Sequence, residues 1–169
     1  MLYVCSLSQL SETAVRTRAE TLITLINAGT PVHRPASIDP ENHLFLGFND
    51  IVEPMEGFTP PGMEHVRELI EFARKWDRQA PMIVHCWAGI SRSTAGAYII
   101  SCARNPDADE AAVAASLRAA SPSATPNARL VALADELLER EGRMIRAIEA
   151  IGRGANAYEG APFMLDVEQ

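Results

Sequence analysis

The sequence predicts a single α/β domain, with a central, mainly parallel sheet of about four to five strands flanked by helices. Short apolar runs typical of buried strands alternate along the chain with longer amphipathic segments typical of helices. The length of 169 residues suits one domain with a full hydrophobic core. The composition, 47% hydrophobic and 22% charged, is that of a soluble globular protein.

The first half of the chain supplies strands separated by one helix and two loops. Three runs rich in apolar and β-branched residues predict strands at residues 2–7, 21–26 and 43–48. Residues 8–20 are mostly polar and predict a short surface helix. Residues 31–42 follow a turn signal and predict a loop. Residues 49–62, with three prolines and two glycines, predict a second surface loop, here called the acid loop.

The second half is mainly helical. Residues 59–61 predict a helix start, after which apolar residues recur on one face as far as Trp76. Residues 81–85 predict a fourth strand. Further helices are predicted at residues 93–102, 109–120 and 128–151. Gly142 either kinks or splits the last of them. Because the remaining residues are weakly patterned, the chain divides into a domain over residues 1–151 and a C-terminal tail over residues 152–169.

Charge and cysteine content narrow the possible functions. The formal net charge of −7 disfavours nucleic acid and anionic membranes as partners. No run approaches the roughly 20 apolar residues of a membrane span, and the N-terminus lacks the features of a signal peptide. Cys5, Cys86 and Cys102 are too few for a disulfide framework and lack the paired spacing of a zinc site. These observations favour a reducing cytoplasm.

Residues 85–93, His-Cys-Trp-Ala-Gly-Ile-Ser-Arg-Ser, form the most informative segment and are here called the cysteine loop. The loop connects the fourth predicted strand to a helix, so its backbone N–H groups converge on one point and predict an oxyanion site. Gly89 lets the backbone approach a ligand closely, and the guanidinium of Arg92 holds two phosphoryl oxygens. The predicted substrate-binding residues are Trp87, Ala88, Gly89, Ile90, Ser91 and Arg92.

Cys86 lies at the floor of this predicted site. The loop amides, the helix N-terminus and Arg92 all supply positive potential, which favours a thiolate, a strong nucleophile. Ser91 and Ser93 can each donate a hydrogen bond to the sulfur. A thiolate beside a bound phosphate predicts attack on phosphorus and a phosphocysteine that water hydrolyses. Neither a metal nor another cofactor is needed, since the loop and Arg92 carry the necessary charge.

This reaction also needs a general acid for the leaving group. Asp50 is the candidate, because it lies at the start of the acid loop and follows a strand that can lie beside residues 81–85. The same residue would later take a proton from water. Glu53 and Glu56 are alternative acids, and a loop-capping role for Asp50 stays open.

The cysteine loop resembles the signature of the cysteine-based protein tyrosine phosphatases, in their compact dual-specificity-like bacterial-type branch. The matching residues are His85, Cys86, Ala88, Gly89, Ser91, Arg92 and Ser93. The order of the two loops also agrees with this branch, because the acid loop comes before the cysteine loop. Asp50 precedes Cys86 by 36 positions, which is similar to the interval in the family. Downstream, Pro126 and Asn127 resemble the element that opens the last core helix in this branch. The likeness spans roughly residues 20–140, but its specific part is about nine residues.

The resemblance implies a protein tyrosine phosphatase-like fold over residues 1–151 and a phosphatase acting on phosphotyrosine or on dual-specificity phosphoprotein substrates. It assigns Cys86 as the nucleophile and Arg92 as the phosphate clamp. Ser93 would assist departure of the thiolate, and Asp50 would be the acid.

Two supporting roles and one departure accompany the resemblance. His85 is implied to stiffen the cysteine loop by hydrogen bonding, without acting as a base. Asn127 is implied to support the site. The acid loop departs from better-known members, because it reads Phe48-Asn49-Asp50 where they have Trp-Pro-Asp.

The substrate prediction depends on two positions of the cysteine loop. Family members that prefer inositol phosphates carry lysines inside the loop, where this chain has Trp87 and Ile90. The resemblance therefore favours a phosphorylated protein or a small aryl phosphate, and the net charge of −7 predicts no nucleic acid or membrane partner. It leaves the oligomeric state open. Trp87 either contributes to an apolar rim or packs beneath the loop.

Two other kinds of function fit the same loop. A non-catalytic phosphate-binding module would hold phosphorylated ligands without turning them over. A rhodanese-like or arsenate-reductase-like enzyme also holds a cysteine in an anion-binding loop. An arsenate reductase of this type needs a second thiol within reach, and neither Cys5 nor Cys102 has obvious access.

Overall fold

The computed structural model describes residues 1–167 and confirms the predicted α/β class with one five-stranded sheet. The strands are β1 (Leu2–Ser6), β2 (Thr21–Ile26), β3 (His43–Gly47), β4 (Met82–Cys86) and β5 (Phe163–Leu165). The helices are α1 (Leu10–Thr17), α2 (Met63–Lys75), α3 (Arg92–Arg104), α4 (Glu110–Ala120), α5 (Ala128–Leu137) and α6 (Arg143–Ile151). None of the helices within residues 1–167 combines the length and apolar character that crossing a membrane requires.

The sheet order is β3-β2-β4-β1-β5, and every neighbouring pair is parallel except β1 with β5. The expectation that the strand before Asp50 lies beside residues 81–85 is wrong, because β2 lies between β3 and β4. Burial gives the physical reason. β2 and β4 are buried along almost their whole length, as strands covered on both faces must be, whereas β3 is mostly accessible and forms the edge.

Helices cover the two faces of the sheet unequally. On one face, α1 joins a small apolar cluster through Leu10 and Ala14, whereas α2 to α6 contribute to the large core on the other. α3 lies at the centre of this core, with nearly all of its residues buried. Gly96 permits this packing, since a Cβ there would lie 2.8 Å from Leu25 Cδ1 and 3.1 Å from Val84 Cγ2. The close approach fixes α3 against β2 and β4.

The helical pattern over residues 128–151 forms two helices, which confirms the splitting alternative at Gly142. α5 ends at Leu137, Gly142 has a φ of 80°, and α6 begins at Arg143. The Asp135 carboxylate accepts hydrogen bonds from the backbone N–H groups of Gly142 at 2.7 Å and Met144 at 2.9 Å. These contacts satisfy donors that the start of a helix otherwise leaves without partners.

The weakly patterned C-terminal residues contain one strand. Phe163–Leu165 form β5, which runs antiparallel to β1 and pairs Leu165 with Leu2. Three residues are too few to show a periodic pattern, which is why the sequence did not indicate this strand. The boundary at residue 151 between a domain and a tail stays a prediction.

Candidate active site

The cysteine loop lies at the carboxyl edge of the sheet, between the end of β4 at Cys86 and the start of α3 at Arg92. The Cys86 side chain is buried, and two groups of the chain contact its sulfur. The Ser93 hydroxyl lies 3.1 Å from Sγ, and the Gly89 backbone N–H donates to Sγ over 3.2 Å. Both contacts stabilise a sulfur that carries negative charge.

Gly89 shapes the turn that brings this N–H onto the sulfur. Its φ is 70°, in the left-handed region that disfavours residues with a Cβ. A Cβ at this position would also lie 2.9 Å from the backbone nitrogen of Ser6 and 3.0 Å from the carbonyl carbon of Cys5. The loop therefore passes so close to the end of β1 that only glycine fits.

The carbonyl groups of the cysteine loop face away from the sulfur. The backbone N–H groups of Leu7, Gly160, Thr125 and Asn127 donate to the carbonyls of Trp87, Ala88, Ile90 and Ser91, at 3.1, 2.8, 2.9 and 3.3 Å respectively. In a trans peptide the N–H points opposite to the carbonyl. The N–H groups that follow these carbonyls therefore face the opposite side, as the Gly89 N–H does toward Sγ, and form a concave surface, here called the cup, that suits an anion.

Arg92 is held at the side of this cup. Its side chain is only 5% exposed, and Nη1 donates to Asn27 Oδ1 at 2.7 Å and to the Phe48 carbonyl at 2.8 Å. Nε is buried and has no hydrogen-bond partner among residues 1–167. A buried donor without an acceptor is costly, so this arrangement suits a ligand oxygen. The sequence did not point to Asn27, whose only signal was its position in the turn after β2.

Asp50 lies beside the cysteine loop although its strand is two places from β4. Asp50 Oδ1 accepts hydrogen bonds from Ser91 Oγ at 2.8 Å and from Asn127 Nδ2 at 2.9 Å. Asn127 also caps α5, because its Oδ1 accepts from the Leu130 N–H at 3.0 Å. Ser91 thus donates to the acid loop, and the expectation that it donates to the sulfur is wrong. Its side chain points across the cavity and not to the floor.

His85 is fully buried and lies in a chain of hydrogen bonds with a defined direction. Its Nδ1 faces the Cys86 carbonyl at 3.2 Å, and its Nε2 lies 2.8 Å from Thr24 Oγ1, which is also 2.8 Å from His43 Nε2. A carbonyl only accepts, so Nδ1 of His85 carries the proton, and Thr24 donates to Nε2. Thr24 then accepts from His43. The sequence did not indicate this link between His43 and the cysteine loop.

Burial of His85 makes the free energy of unfolding depend on pH. Burial lowers the pKa of His85 from 6.5 to about 4. Between these values the unfolded chain binds a proton that the folded chain does not, so stability falls as pH falls. From this group we expect a loss of about 2 kcal/mol between about pH 7.5 and pH 5, measured by urea unfolding.

The variant His85→Asn should lose most of this pH dependence. The matched variant is His33→Asn, whose side chain is exposed, and it should keep the wild-type slope. An unchanged slope in His85→Asn would contradict a neutral buried ring.

A cavity of about 690 Å³ opens above the cysteine loop. Cys86, Arg92 and Asp50 all line it, whereas Glu53 and Glu56 do not. Trp87 is 60% exposed on its rim, so the alternative that Trp87 packs beneath the loop is wrong. Tyr158, from the weakly patterned tail, also lines the cavity, and nothing in the sequence pattern indicated it.

Comparisons with known proteins agree with this geometry. The family model described as protein-tyrosine phosphatase matches residues 55–123, which include the whole cysteine loop. The Cydia pomonella PTP-2 phosphatase structure is 16% identical with a TM-score of 0.63, over 80% of this chain and 84% of that one. The structure of human DUSP28 is 17% identical with a TM-score of 0.62, over 89% of this chain and 95% of DUSP28. The structure of DUSP15 is 21% identical with a TM-score of 0.62, over 88% of this chain and 90% of DUSP15.

At these identities the likeness to solved structures concerns the fold alone. None of the curated protein sequences is similar enough to this chain to count as a match. The family model therefore matches a segment that includes the cysteine loop, and the solved structures share the fold.

Proposed function

We propose that the chain is a cysteine-based protein tyrosine phosphatase and that it hydrolyses phosphate monoesters through a phosphocysteine intermediate on Cys86. The match of the protein-tyrosine phosphatase model to residues 55–123 and the fold that the chain shares with DUSP28 and DUSP15 support this proposal. Asp50 is the general acid and base in this proposal. The substrate is phosphotyrosine, a dual-specificity phosphoprotein or a small aryl phosphate.

The observation that carries the proposal is the convergence of three kinds of group on one cavity. The Cys86 sulfur lies at its floor, the loop N–H groups face it, and the buried Nε of Arg92 lacks an acceptor among residues 1–167. A phosphoryl group supplies several oxygens to accept from these donors and a phosphorus atom for the sulfur to attack. A simple structural role does not explain the open cavity above the buried sulfur.

In the first step, the Cys86 thiolate attacks phosphorus. The sulfur–phosphorus bond forms while the bond from phosphorus to the leaving oxygen breaks, and the loop N–H groups and Arg92 stabilise the charge on the remaining oxygens. Asp50 donates a proton to the leaving oxygen. Because Ser91 and Asn127 both donate to Oδ1 of Asp50, Oδ2 is the oxygen that carries this proton.

In the second step, water attacks phosphorus and Asp50 takes its proton. The sulfur–phosphorus bond breaks, phosphate forms, and the thiolate leaves. The Ser93 hydroxyl at 3.1 Å and the Gly89 N–H at 3.2 Å stabilise the departing sulfur. Asn127 is a positioning residue, since it links Asp50 to the start of α5. No step uses a metal ion or another cofactor.

The rim of the cavity supports a phosphoprotein or aryl phosphate over a polyphosphorylated ring. Arg92 is the one basic residue that lines the cavity in the described part of the chain, whereas Trp87 and Phe58 contribute exposed apolar surface. A ring with several phosphates needs more positive charge than one guanidinium. We also propose a reducing compartment such as the cytoplasm, because Cys86 must remain a free thiol.

The thiols argue against an arsenate reductase. Cys5 and Cys102 are both buried, and burial raises the pKa of each to about 12. Neither is a ready second nucleophile at neutral pH. This leaves the phosphatase and the non-catalytic phosphate-binding module as the functions to separate.

Hydrolysis of p-nitrophenyl phosphate by the wild-type protein distinguishes a phosphatase from a non-catalytic phosphate-binding module. We expect turnover that EDTA leaves unchanged and that vanadate, a phosphate-like oxyanion, inhibits competitively. A stable complex with a phosphopeptide and no release of phosphate would favour the non-catalytic module. Thiosulfate sulfurtransferase activity would favour a rhodanese-like enzyme.

The proton donor is tested by Asp50→Asn, which keeps an oxygen to accept from Ser91 and Asn127 but has no proton to give. We expect kcat for p-nitrophenyl phosphate to fall by about 10²-fold or more. The alkaline limb of the pH–rate profile should disappear, while inhibition by phosphate stays near the wild-type level. Glu53→Gln is the matched control and should behave as wild type. If Glu53→Gln lost the limb instead, Asp50 would not be the acid.

A further inference from the structure

The chain after α6 returns to the cysteine loop, and hydrogen bonds hold it there on both sides of Tyr158. This segment, residues 154–160, is here called the return segment. At its start, the Gly154 N–H donates to Thr125 Oγ1 at 3.1 Å, and the Ala155 N–H donates to the Pro122 carbonyl at 2.9 Å. At its end, the Gly160 N–H donates to the Ala88 carbonyl at 2.8 Å.

Close packing reinforces these anchors. A Cβ on Gly160 would lie 2.7 Å from the Gly89 carbonyl oxygen, and a Cβ on Gly154 would lie 2.5 Å from the Ser123 backbone. The Glu159 carboxylate also accepts hydrogen bonds from the hydroxyls of Ser6 and Ser8. The backbone around Tyr158 is therefore held against the cysteine loop and not left loose.

Tyr158 itself is 96% exposed, although its backbone is anchored. Among residues 1–167, four Phe, Trp or Tyr side chains are classed as exposed, and three of them line the cavity above Cys86: Phe58, Trp87 and Tyr158. These three exposed rings give the cavity an apolar rim, and Trp87 and Tyr158 are neighbours on it, since they also line a smaller pocket together. Such a rim suits contact with a flat apolar group, because offset and edge-to-face ring contacts add to simple burial.

We propose that the return segment is a substrate-recognition element and that Tyr158 is a specificity-determining residue that contacts the aromatic ring of an aryl phosphate bound over Cys86. This inference rests on the proposed phosphatase function and deepens it. The phosphoryl group occupies the cup, and the ring that carries it lies against Tyr158 and Trp87. Tyr158 touches the organic part of the substrate and none of the reacting atoms, so it acts on binding and not on the chemical steps.

The test compares Tyr158→Ala and Tyr158→Phe with wild type, using phenyl phosphate and 2-naphthyl phosphate. For Tyr158→Ala we expect KM for both substrates to rise by about tenfold with kcat within about twofold. The preference for the larger naphthyl ring should shrink. Tyr158→Phe keeps the ring and should retain wild-type values. Phe45→Ala, an exposed aromatic that does not line the cavity, is the matched control and should change nothing.

Inhibition by inorganic phosphate separates a recognition role from a structural one. Phosphate fills the cup without touching the rim, so its inhibition constant should be unchanged in Tyr158→Ala. A raised inhibition constant for phosphate or a large fall in kcat in Tyr158→Ala would mean that Tyr158 supports the structure of the cysteine loop. Either result would overturn the inference. An unchanged KM for both aryl substrates would overturn it as well. Inactivity of the wild-type protein toward both substrates would instead reject the proposed function.

Discussion

Replacement of Cys86 by serine is expected to abolish hydrolysis of p-nitrophenyl phosphate, with kcat falling by about 10⁴-fold or more. A serine hydroxyl stays protonated at neutral pH and is a weak nucleophile without an adjacent base. The groups around the sulfur, Ser93 and the Gly89 N–H, donate hydrogen bonds and offer no base. The cup and Arg92 remain, so the variant should still bind inorganic phosphate. Steady-state rates and phosphate binding by calorimetry measure the two effects separately.

Cys102→Ala is the matched control for this experiment. Cys102 is buried within α3 and does not line the cavity, so its loss should leave kcat within a small factor of wild type once folding is confirmed. A Cys86→Ser protein with normal turnover would remove the phosphocysteine from the mechanism. Loss of activity in Cys102→Ala with an intact fold would point to a second thiol in the reaction.

The second large effect is expected for Arg92→Lys, with kcat/KM falling by about 10³-fold. The guanidinium contacts Asn27 and the Phe48 carbonyl through Nη1 and keeps Nε free for a ligand oxygen. A lysine ammonium retains the charge but cannot make these contacts and also present a planar fork to phosphate. The expected signature is a raised inhibition constant for vanadate together with a lower kcat.

Arg67→Lys serves as the charge-matched control, since Arg67 is partly exposed on α2 and pairs with Glu64. It should leave both constants unchanged. Asn27→Ala should give an intermediate loss, because Arg92 keeps the Phe48 contact. If Arg92→Lys matched wild type, charge alone would suffice and the orientation of the guanidinium would be irrelevant.

Much of the fold was predictable, because strands and helices reflect local patterns. The β-branched run at residues 21–26 is β2 to the residue, and the apolar face beginning at Met63 is that of α2. Local patterns carried no information on which strands are neighbours. The wrong expectation that β3 lies beside β4 arose for this reason, since strand order depends on the packing of whole layers.

The candidate site also combines residues that are close in the sequence with contacts between residues far apart in the chain. Cys86, Arg92 and Ser93 occur within one short segment, so the sequence alone placed them together. Asp50 and Asn127 were named from the sequence, but their contact is a matter of tertiary structure, in which Asn127 and Ser91 both donate to one carboxylate oxygen. Asn27 escaped notice because turn asparagines are common.

The sequence by itself determined the α/β class and the strand–turn–helix form of the cysteine loop, because a strand, a glycine turn and a helix start are local features that neighbouring residues specify. Only the tertiary structure decided what surrounds that loop. It brought Asn27 to Arg92, turned Ser91 away from the sulfur, and returned Tyr158 to the rim from a segment without periodicity. These placements depend on contacts between residues far apart in the chain, and no local pattern records such contacts.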